Sequence, residues 1–311
     1  MTATPAPPPG IAVLGSANMD LVAYVAKAPS RGETVTGDSF RTVAGGKGAN
    51  QAIAAARAGG AVAMIGAVGD DDFGRRLRAA LEGAGVGTER LRTAPGPSGI
   101  AQIVVDGEGH NAIVVVPGAN GTVTELAAQD EAVIGAAGAL LLQLELPLAG
   151  VLAGARAARA HGVRTVLTPA PVQPLPDELL AVTDLLVPNE HEAAALSGER
   201  DPQAAARALL DAVPEVVVTL GAAGCLHAVR GGELLALPAL AADVVDTTAA
   251  GDTFVGALAV ALGEGRATED ALRWATAASA LSVERPGASI SMPDRAAIDA
   301  RASAAAHRRP S

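Results

Sequence analysis

Residues 243–262 read DVVDTTAAGDTFVGALAVAL, and the fold turns on how this stretch divides. It opens as a short β-prone run and passes through Asp246-Thr247-Thr248-Ala249-Ala250-Gly251-Asp252. It then continues as an apolar helical pattern. Small residues just ahead of a helix let backbone N–H groups converge on one point. That point lies at the positive end of the helix dipole and suits an anion. Asp252 falls in the first helical turn, where a carboxylate is favoured. A carboxylate beside an anion site can deprotonate a hydroxyl and let it attack a phosphate. Asp and Thr are also ordinary N-cap residues, so the same letters describe a plain capped helix. The surrounding chain has to decide between the two.

Outward from this stretch, strands and helices alternate. Toward the N-terminus, residues 139–143, 163–168, 185–187 and 215–219 are short apolar runs of buried-strand type. Helical patterns at 148–161 and 192–198 lie between them, and residues 225–236 read as a hairpin. A further helix is expected over 269–282, leading into Val283-Glu284-Arg285-Pro286-Gly287-Ala288-Ser289. Near the start, residues 11–15 (IAVLG) and 62–68 (VAMIGAV) are two more buried strands, and a helix is expected over 75–83. Asp70-Asp71-Asp72 before that helix suits its dipole and reads as capping. Residues 98–105 and 111–116 are β runs joined by Asp106-Gly107-Glu108-Gly109-His110, another hairpin. A hairpin is out of place in a parallel sheet. It is assigned, with the extended segment near 21–43, to a small separate β layer. The strands release polar or Gly-rich groups at 15–20, 143–145, 188–192, 219–224 and 246–252. In a doubly wound sheet those C-terminal ends share one edge, where ligands bind.

Ala44-Gly45-Gly46-Lys47-Gly48-Ala49-Asn50-Gln51 leads into a helix expected from residue 52, with Asn50 in its first turn. Gly48 follows Lys47 where a Walker A loop needs Ser or Thr, so this is not a P-loop. Three glycines around one lysine are entropically costly and imply a close backbone approach.

The 311 residues are 50% hydrophobic and only 2% aromatic, so a large core is built from small and branched aliphatics. The net charge of −10 argues against a nucleic-acid or anionic-membrane partner. The single cysteine, Cys225, excludes an internal disulfide framework and suits a reducing compartment. No zinc-ligand spacing occurs. MTATPAPPPG carries neither a basic region nor an apolar stretch of signal-peptide length. No apolar run has the length and purity of a membrane span. A soluble cytoplasmic protein is expected, with tails at 1–10 and 302–311 frayed.

The motifs GSANMD (15–20), AGGKGANQA (44–52), GDDDFG (69–74), DGEGHNAIVVVPGAN (106–120), QLE (143–145), TPAP (168–171), PNEHEA (188–193), TLGAAG (219–224), DTTAAGDTF (246–254) and ERPGAS (284–289) occur in one order. In that order the chain resembles the ribokinase-like (PfkB-type) carbohydrate kinases over roughly residues 11–295. AGGKGAN with DTTAAGD is the most specific pair. The QLE and GEGHN…GAN segments look closer to the ribose-phosphorylating branch than to fructose or adenosine kinases.

The resemblance implies an α/β three-layer sandwich with a mostly parallel central sheet and a small β lid. The kinase domain would span 11–300, with lid segments near 18–43 and 98–117. It implies ATP-dependent phosphorylation of D-ribose at O5, or of another pentose, 2-deoxyribose or a nucleoside such as pseudouridine. A non-catalytic sugar-binding or regulatory protein on the same scaffold is the rival class, and the intact Gly251 and Asp252 speak against it. Asp252 would be the base, and Ala249, Ala250, Gly251 and the Asp252 amide the anion hole. Asn18, Asp20, Gly46, Lys47, Asn50 and Glu145 would bind the sugar. Asn189, Thr219, Gly221, Gly224, Gly251 and Thr276 would bind ATP. Glu192, in the N-x-x-E motif with Asn189, would act indirectly on magnesium. Asp246 and Thr248, with backbone carbonyls at Ser282, Arg285, Gly287 and Ser291, would hold potassium as an activator. The chain departs from the pattern at Pro286 and Ile290, and Val255 stands where Asn usually follows DTF. The lid also implies a homodimer.

Overall fold

The computed structural model describes residues 10–306. The first strands are β1 (Gly10–Leu14), β2 (Asn18–Tyr24) and β3 (Ser39–Gly45), followed by α1 (Lys47–Arg57). Next come β4 (Ala61–Gly69), α2 (Asp72–Gly83), β5 (Gly87–Ala94), β6 (Gly99–Val105) and β7 (Asn111–Val116). The middle of the chain supplies α3 (Ala128–Gly135), β8 (Ala139–Leu142), α4 (Leu148–His161), β9 (Arg164–Leu167), α5 (Asp177–Leu180) and β10 (Leu185–Leu186). Then follow α6 (Glu190–Ser197), α7 (Pro202–Leu209), β11 (Glu215–Thr219), β12 (Cys225–Val229) and β13 (Leu235–Leu237). Three helices close the chain: α8 (Ala250–Gly263), α9 (Thr268–Ser282) and α10 (Arg295–Ala306).

Nine strands form one sheet in the order β13-β12-β11-β10-β9-β8-β1-β4-β5, antiparallel only where β12 and β13 join. The order runs outward in both directions from β1, so the sheet is doubly wound and its parallel strands end along one edge. Alternation along each strand feeds two cores. Ile11 and Val13 of β1 face one, Ala12 and Leu14 the other, and Leu141 and Leu142 of β8 divide in the same way. Helices α1, α2, α8, α9 and α10 cover the first face, and α3, α4, α6 and α7 the second. Helix α8 is apolar all round, with residues 252–261 buried, because it packs against α1 and α9 as well as β1 and β8.

The smaller sheet has four strands in the order β3-β2-β6-β7. Strand β2 starts at Asn18, straight after the β1 loop, and pairs Asn18 with Gly45 on β3 and Gly99 on β6. Strand β7 is an edge, and all six of its residues are exposed.

Some boundaries differ from the sequence reading. Helix α1 begins at Lys47 rather than near 52, and Lys47 and Asn50 therefore lie on the helix. Gly46 takes φ 93° as its cap, and Gly48 packs against Gly15 and Ser16. Strand β5 was not expected, since TERLRTA carries charge on both sides of Leu91. Of these charges, Arg90 pairs with Asp130 at 2.7 Å. Residues 10 and 302–306, expected in frayed tails, are in regular structure: Gly10 opens β1 and α10 continues to Ala306. Helix α10 is held by buried Ile298 and by Asp299, which accepts from the Trp274 indole at 2.8 Å. Residues 1–9 and 307–311 of those expected tails lie outside the described residues.

Candidate active site

Glu145, just past β8, ties three segments together. Its Oε2 accepts from the Ser16 hydroxyl, from Asn18 Nδ2 at 3.2 Å and from the Lys47 backbone N–H at 3.0 Å. Asn18 is 2% exposed, and its Oδ1 accepts from Asn120 Nδ2 at 2.8 Å. Asn120 also accepts from Ala17 N at 3.0 Å. The glycines of the AGGKGAN stretch explain this density. A Cβ on Gly46 would lie 2.6 Å from Asn18 N, one on Gly48 2.5 Å from Ser16 N, and one on Gly45 2.3 Å from Asp20 Oδ2. The close approach expected of these glycines is therefore to the β1–β2 loop and to Asp20.

Opposite this knot stands Asp252, in the first turn of α8 and 7% exposed. Neighbouring residues of α1 supply a donor to each of its oxygens: Asn50 Nδ2 reaches Oδ2 at 3.2 Å and Gln51 Nε2 reaches Oδ1 at 3.1 Å. Asn50 Oδ1 is buried without a partner among the described residues, an acceptor left for a hydroxyl donor. Helix geometry leaves the N–H groups of Gly251 and Asp252, at the second and third helical positions, without partners inside the helix. The Ala250 N–H is directed instead to Thr247 O at 3.2 Å. Ala249 takes φ 59°, the only positive φ outside glycine among the described residues. A left-handed alanine costs of order 1–3 kcal/mol, and such strain clusters at functional sites.

Charge is concentrated here. Burial, then Glu145 and Asp252, push the Asp20 carboxyl up to about 7, with Lys47 opposing. Burial works against the Lys47 ammonium, but Asp252, Glu145, Glu192 and Asp20 outweigh it and hold its pKa above the ordinary value. Burial also raises Asp252, against the pull of Lys47, Gln51 and Asn50. One lysine thus balances a ring of carboxylates.

On the other side of Gly251 lies a cleft of about 710 Å³, walled by Thr219, Gly221, Gly224, Thr276 and the 239–247 loop. Asn189 and Glu192 cap α6 reciprocally: Asn189 Oδ1 accepts from Glu192 N at 2.8 Å and Glu192 Oε2 from Asn189 N at 2.9 Å. Burial raises the Glu192 pKa, and Lys47 and Asp252 both act on it, so this cap faces the same space.

A family model described as pfkB family carbohydrate kinase matches residues 9–295. Ribokinase of Haemophilus influenzae is 41% identical over 293 residues, 92% of this chain and 95% of that protein. Ribokinase of Bacillus subtilis is 42% identical over 291 residues, 93% of this chain and 98% of that protein. The structure of Arabidopsis thaliana ribokinase complexed with ribose and ATP superposes with a TM-score of 0.89 at 36% identity, covering 95% of this chain and 98% of that one. The chain belongs to the pfkB family of carbohydrate kinases.

For a pfkB carbohydrate kinase the donor chemistry here is coherent. No cluster of three or more His, Cys, Asp or Glu suited to a metal occurs among the described residues. Magnesium with few protein ligands and several phosphate oxygens fits such a site, and Glu192 is the carboxylate on hand. For a monovalent cation, Asp246 folds the loop: its Oδ1 accepts from Thr248 N at 2.9 Å and its Oδ2 from Gly287 N at 2.8 Å. Among the described residues no backbone donor reaches the carbonyls of Arg285, Gly287 and Ser291. The residue four on from Ser282 is Pro286, which has no N–H to offer its carbonyl. These are hard oxygen donors of the kind such a cation takes. Val255, where Asn was expected, is 2% exposed and joins the core.

The residues missed from the sequence are the amides behind the site: Gln51, Asn120 and Gln143. Each stood inside a quoted motif. The signal was an amide in an otherwise Ala, Gly or Leu setting, which marks a buried polar group needing a partner.

Proposed function

We propose that the chain transfers the γ-phosphoryl group of ATP to O5 of D-ribose, giving ribose 5-phosphate and ADP. The observation that carries this is Asp252, buried between Asn50 and Gln51 and next to the open N–H groups of Gly251 and its own backbone. The relatives' names supply the sugar, and the family supplies the reaction class.

In this reading Asn18, Asp20, Gly46, Lys47, Asn50 and Glu145 surround the sugar, whose hydroxyls need partners once water is excluded. The adenine moiety enters the apolar cleft beside Thr219, Gly221, Gly224 and Thr276, with Asn189 and Glu192 toward the phosphates. Asp252 takes the proton from the 5-hydroxyl. The N–H groups of Gly251 and Asp252, on the strained Ala249 turn, stabilise charge on the moving phosphoryl group. Lys47 offsets the negative charge on both sides. Magnesium, when bound, supplies charge neutralisation on the phosphates. Asp246, Thr248 and the carbonyls of Ser282, Arg285, Gly287 and Ser291 would hold potassium, stiffening the loop that carries the anion hole.

The smaller sheet acts as a lid over the sugar, and β7 pairs two chains into a homodimer. Ile113 and Val114 are 52% and 63% exposed on an unpaired edge strand, which is a ready pairing surface. No helix among the described residues is long and apolar enough to cross a membrane. With the charge of −10 and a single buried cysteine, we assign the protein to the cytoplasm.

The test is ADP release with magnesium ATP against ribose, 2-deoxyribose, fructose, arabinose, adenosine, uridine and pseudouridine, in potassium and in sodium. A strong ribose signal raised by potassium is the expected result. A stronger signal with another acceptor overturns the assignment of ribose.

A further inference from the structure

Behind Asp252 the structure holds a line of amides. Gln143, at the end of β8, is 1% exposed, and its Nε2 donates to Gln51 Oε1 at 2.6 Å. Gln51, on α1 and 0% exposed, donates from Nε2 to Asp252 Oδ1 at 3.1 Å and to Thr168 Oγ1 at 3.1 Å. Every polar hydrogen and the oxygen of the Gln51 amide are therefore engaged. The far end is not closed. Gln143 Oε1 is buried with no partner among the described residues. It lies over Gly15, where a Cβ would come within 2.2 Å of it. A buried orphan acceptor is unfavourable, and native structures keep one where something is gained. Here the gain is direction. If the Gln143 amide turned over, two oxygens would face each other and Gln51 would lose its lock. With Gln143 in place, Gln51 presents only N–H to Asp252.

We infer that Gln51, keyed by Gln143, is a positioning residue that fixes one oxygen of Asp252 and holds the carboxylate ready to accept the sugar proton. The inference rests on the reading of Asp252 as the base. A neutral amide suits the task. It favours the ionised carboxylate by donating a hydrogen bond, and it adds no net charge that would suppress basicity. The charged groups around Asp252 are Lys47 on α1, Glu145 after β8, Asp20 on β2 and Glu192 on α6. Replacing Gln51 leaves all four in place.

The experiment compares pH profiles of kcat for the full chain and for Gln51→Met, which keeps length and removes both donors. We expect kcat near neutral pH to fall about 10- to 100-fold. The acid limb should move up by about one pH unit, because the carboxylate has lost a donor. The KM values for ribose and ATP should stay within about twofold, since the interaction acts on the reacting group. A lowered Tm with an unmoved limb and normal kcat would make Gln51 a packing residue and overturn the inference. If Gln51→Met does not fold, Gln143→Met is read in the same way: an upward move of the limb supports the inference and an unmoved limb overturns it. Asp252→Asn is measured alongside. Near-normal turnover there removes the base itself, a failure distinct from an unmoved limb in the Gln51 variant.

Discussion

Asp252 is held in tension by its surroundings. Burial favours its neutral form, while Lys47, Gln51 and Asn50 favour the anion. Burial wins, so its pKa is raised and it holds a proton more tightly than a free carboxylate does, which suits a base. Asp252→Asn keeps the volume and removes the base. Turnover should fall roughly 10²–10⁴-fold, while thermal melting followed by circular dichroism should stay at or above the parent's, because a desolvated charge is gone. Asp20 gives a second prediction at this scale. Its carboxyl titrates near 3.8 when free and at about 7 in the fold. Between those values the folded chain binds the extra proton, so Asp20 disfavours folding progressively as pH rises toward 7 and fully above it. In the proposed sugar site the effect runs the other way, because the ionised form is the acceptor for hydroxyls. The KM for ribose should therefore climb as pH falls below 7, and Asp20→Asn should flatten that slope while raising KM throughout. Asp252 was marked in the sequence by the small-residue turn before an apolar helix, whereas Asn50 and Glu145 were assigned through the family resemblance. Gln51 was not, since one sequence does not tell an amide facing a carboxylate from one facing solvent.

Helix α8 meets α1 at Gly256. A Cβ there would lie 2.7 Å from Ala54 Cβ and 2.8 Å from both Ala55 N and Gln51 O. The contact brings the helix of Asp252, the proposed base, against the helix of its amide partners. Gly256→Ala should lose about 1–3 kcal/mol of stability by overpacking, read from urea denaturation. It should also lower kcat, because the same push displaces Gln51. The turn before α8 is the other constrained point. A β-branched residue tolerates the left-handed region of Ala249 badly, so Ala249→Val should weaken phosphoryl transfer more than it alters ribose binding, seen as a fall in kcat with KM for ribose nearly unchanged. The sequence placed α8 correctly, because a small-residue turn before an unbroken apolar run allows little else. It set the start of α1 too late, because Gly48 looks like a helix breaker until Gly15 and Ser16 are seen to occupy the space a side chain would need. Strand β5 escaped notice because the partner of its Arg90, Asp130, lies far along the chain.

The whole molecule is a two-faced sheet with its chemistry along one edge and a second sheet attached at one corner. The doubly wound order was legible from the βα alternation, and the smaller sheet from a hairpin that no parallel sheet would hold. What no single segment announced is that both faces of β7 stay bare. If two chains pair there, Val114→Lys should give a monomer in sedimentation velocity where the parent sediments as a dimer. A parent that is already monomeric would overturn the pairing. Asn120 fixes Asn18 at the base of β2, and Asn18 is clasped between Gly45 and Gly99. Strand β2 therefore runs as one ladder, paired on both sides from Asn18 to Tyr24. Asp20 is two residues along it and Tyr24 six. At about 3.3 Å per residue, Tyr24 lies roughly 13 Å beyond Asp20 along that ladder. The rim of the second sheet is thus hydrogen-bonded, rung by rung, to the strand that carries Asp20, and a probe at Tyr24 would report whether occupancy of the proposed sugar site is felt that far away.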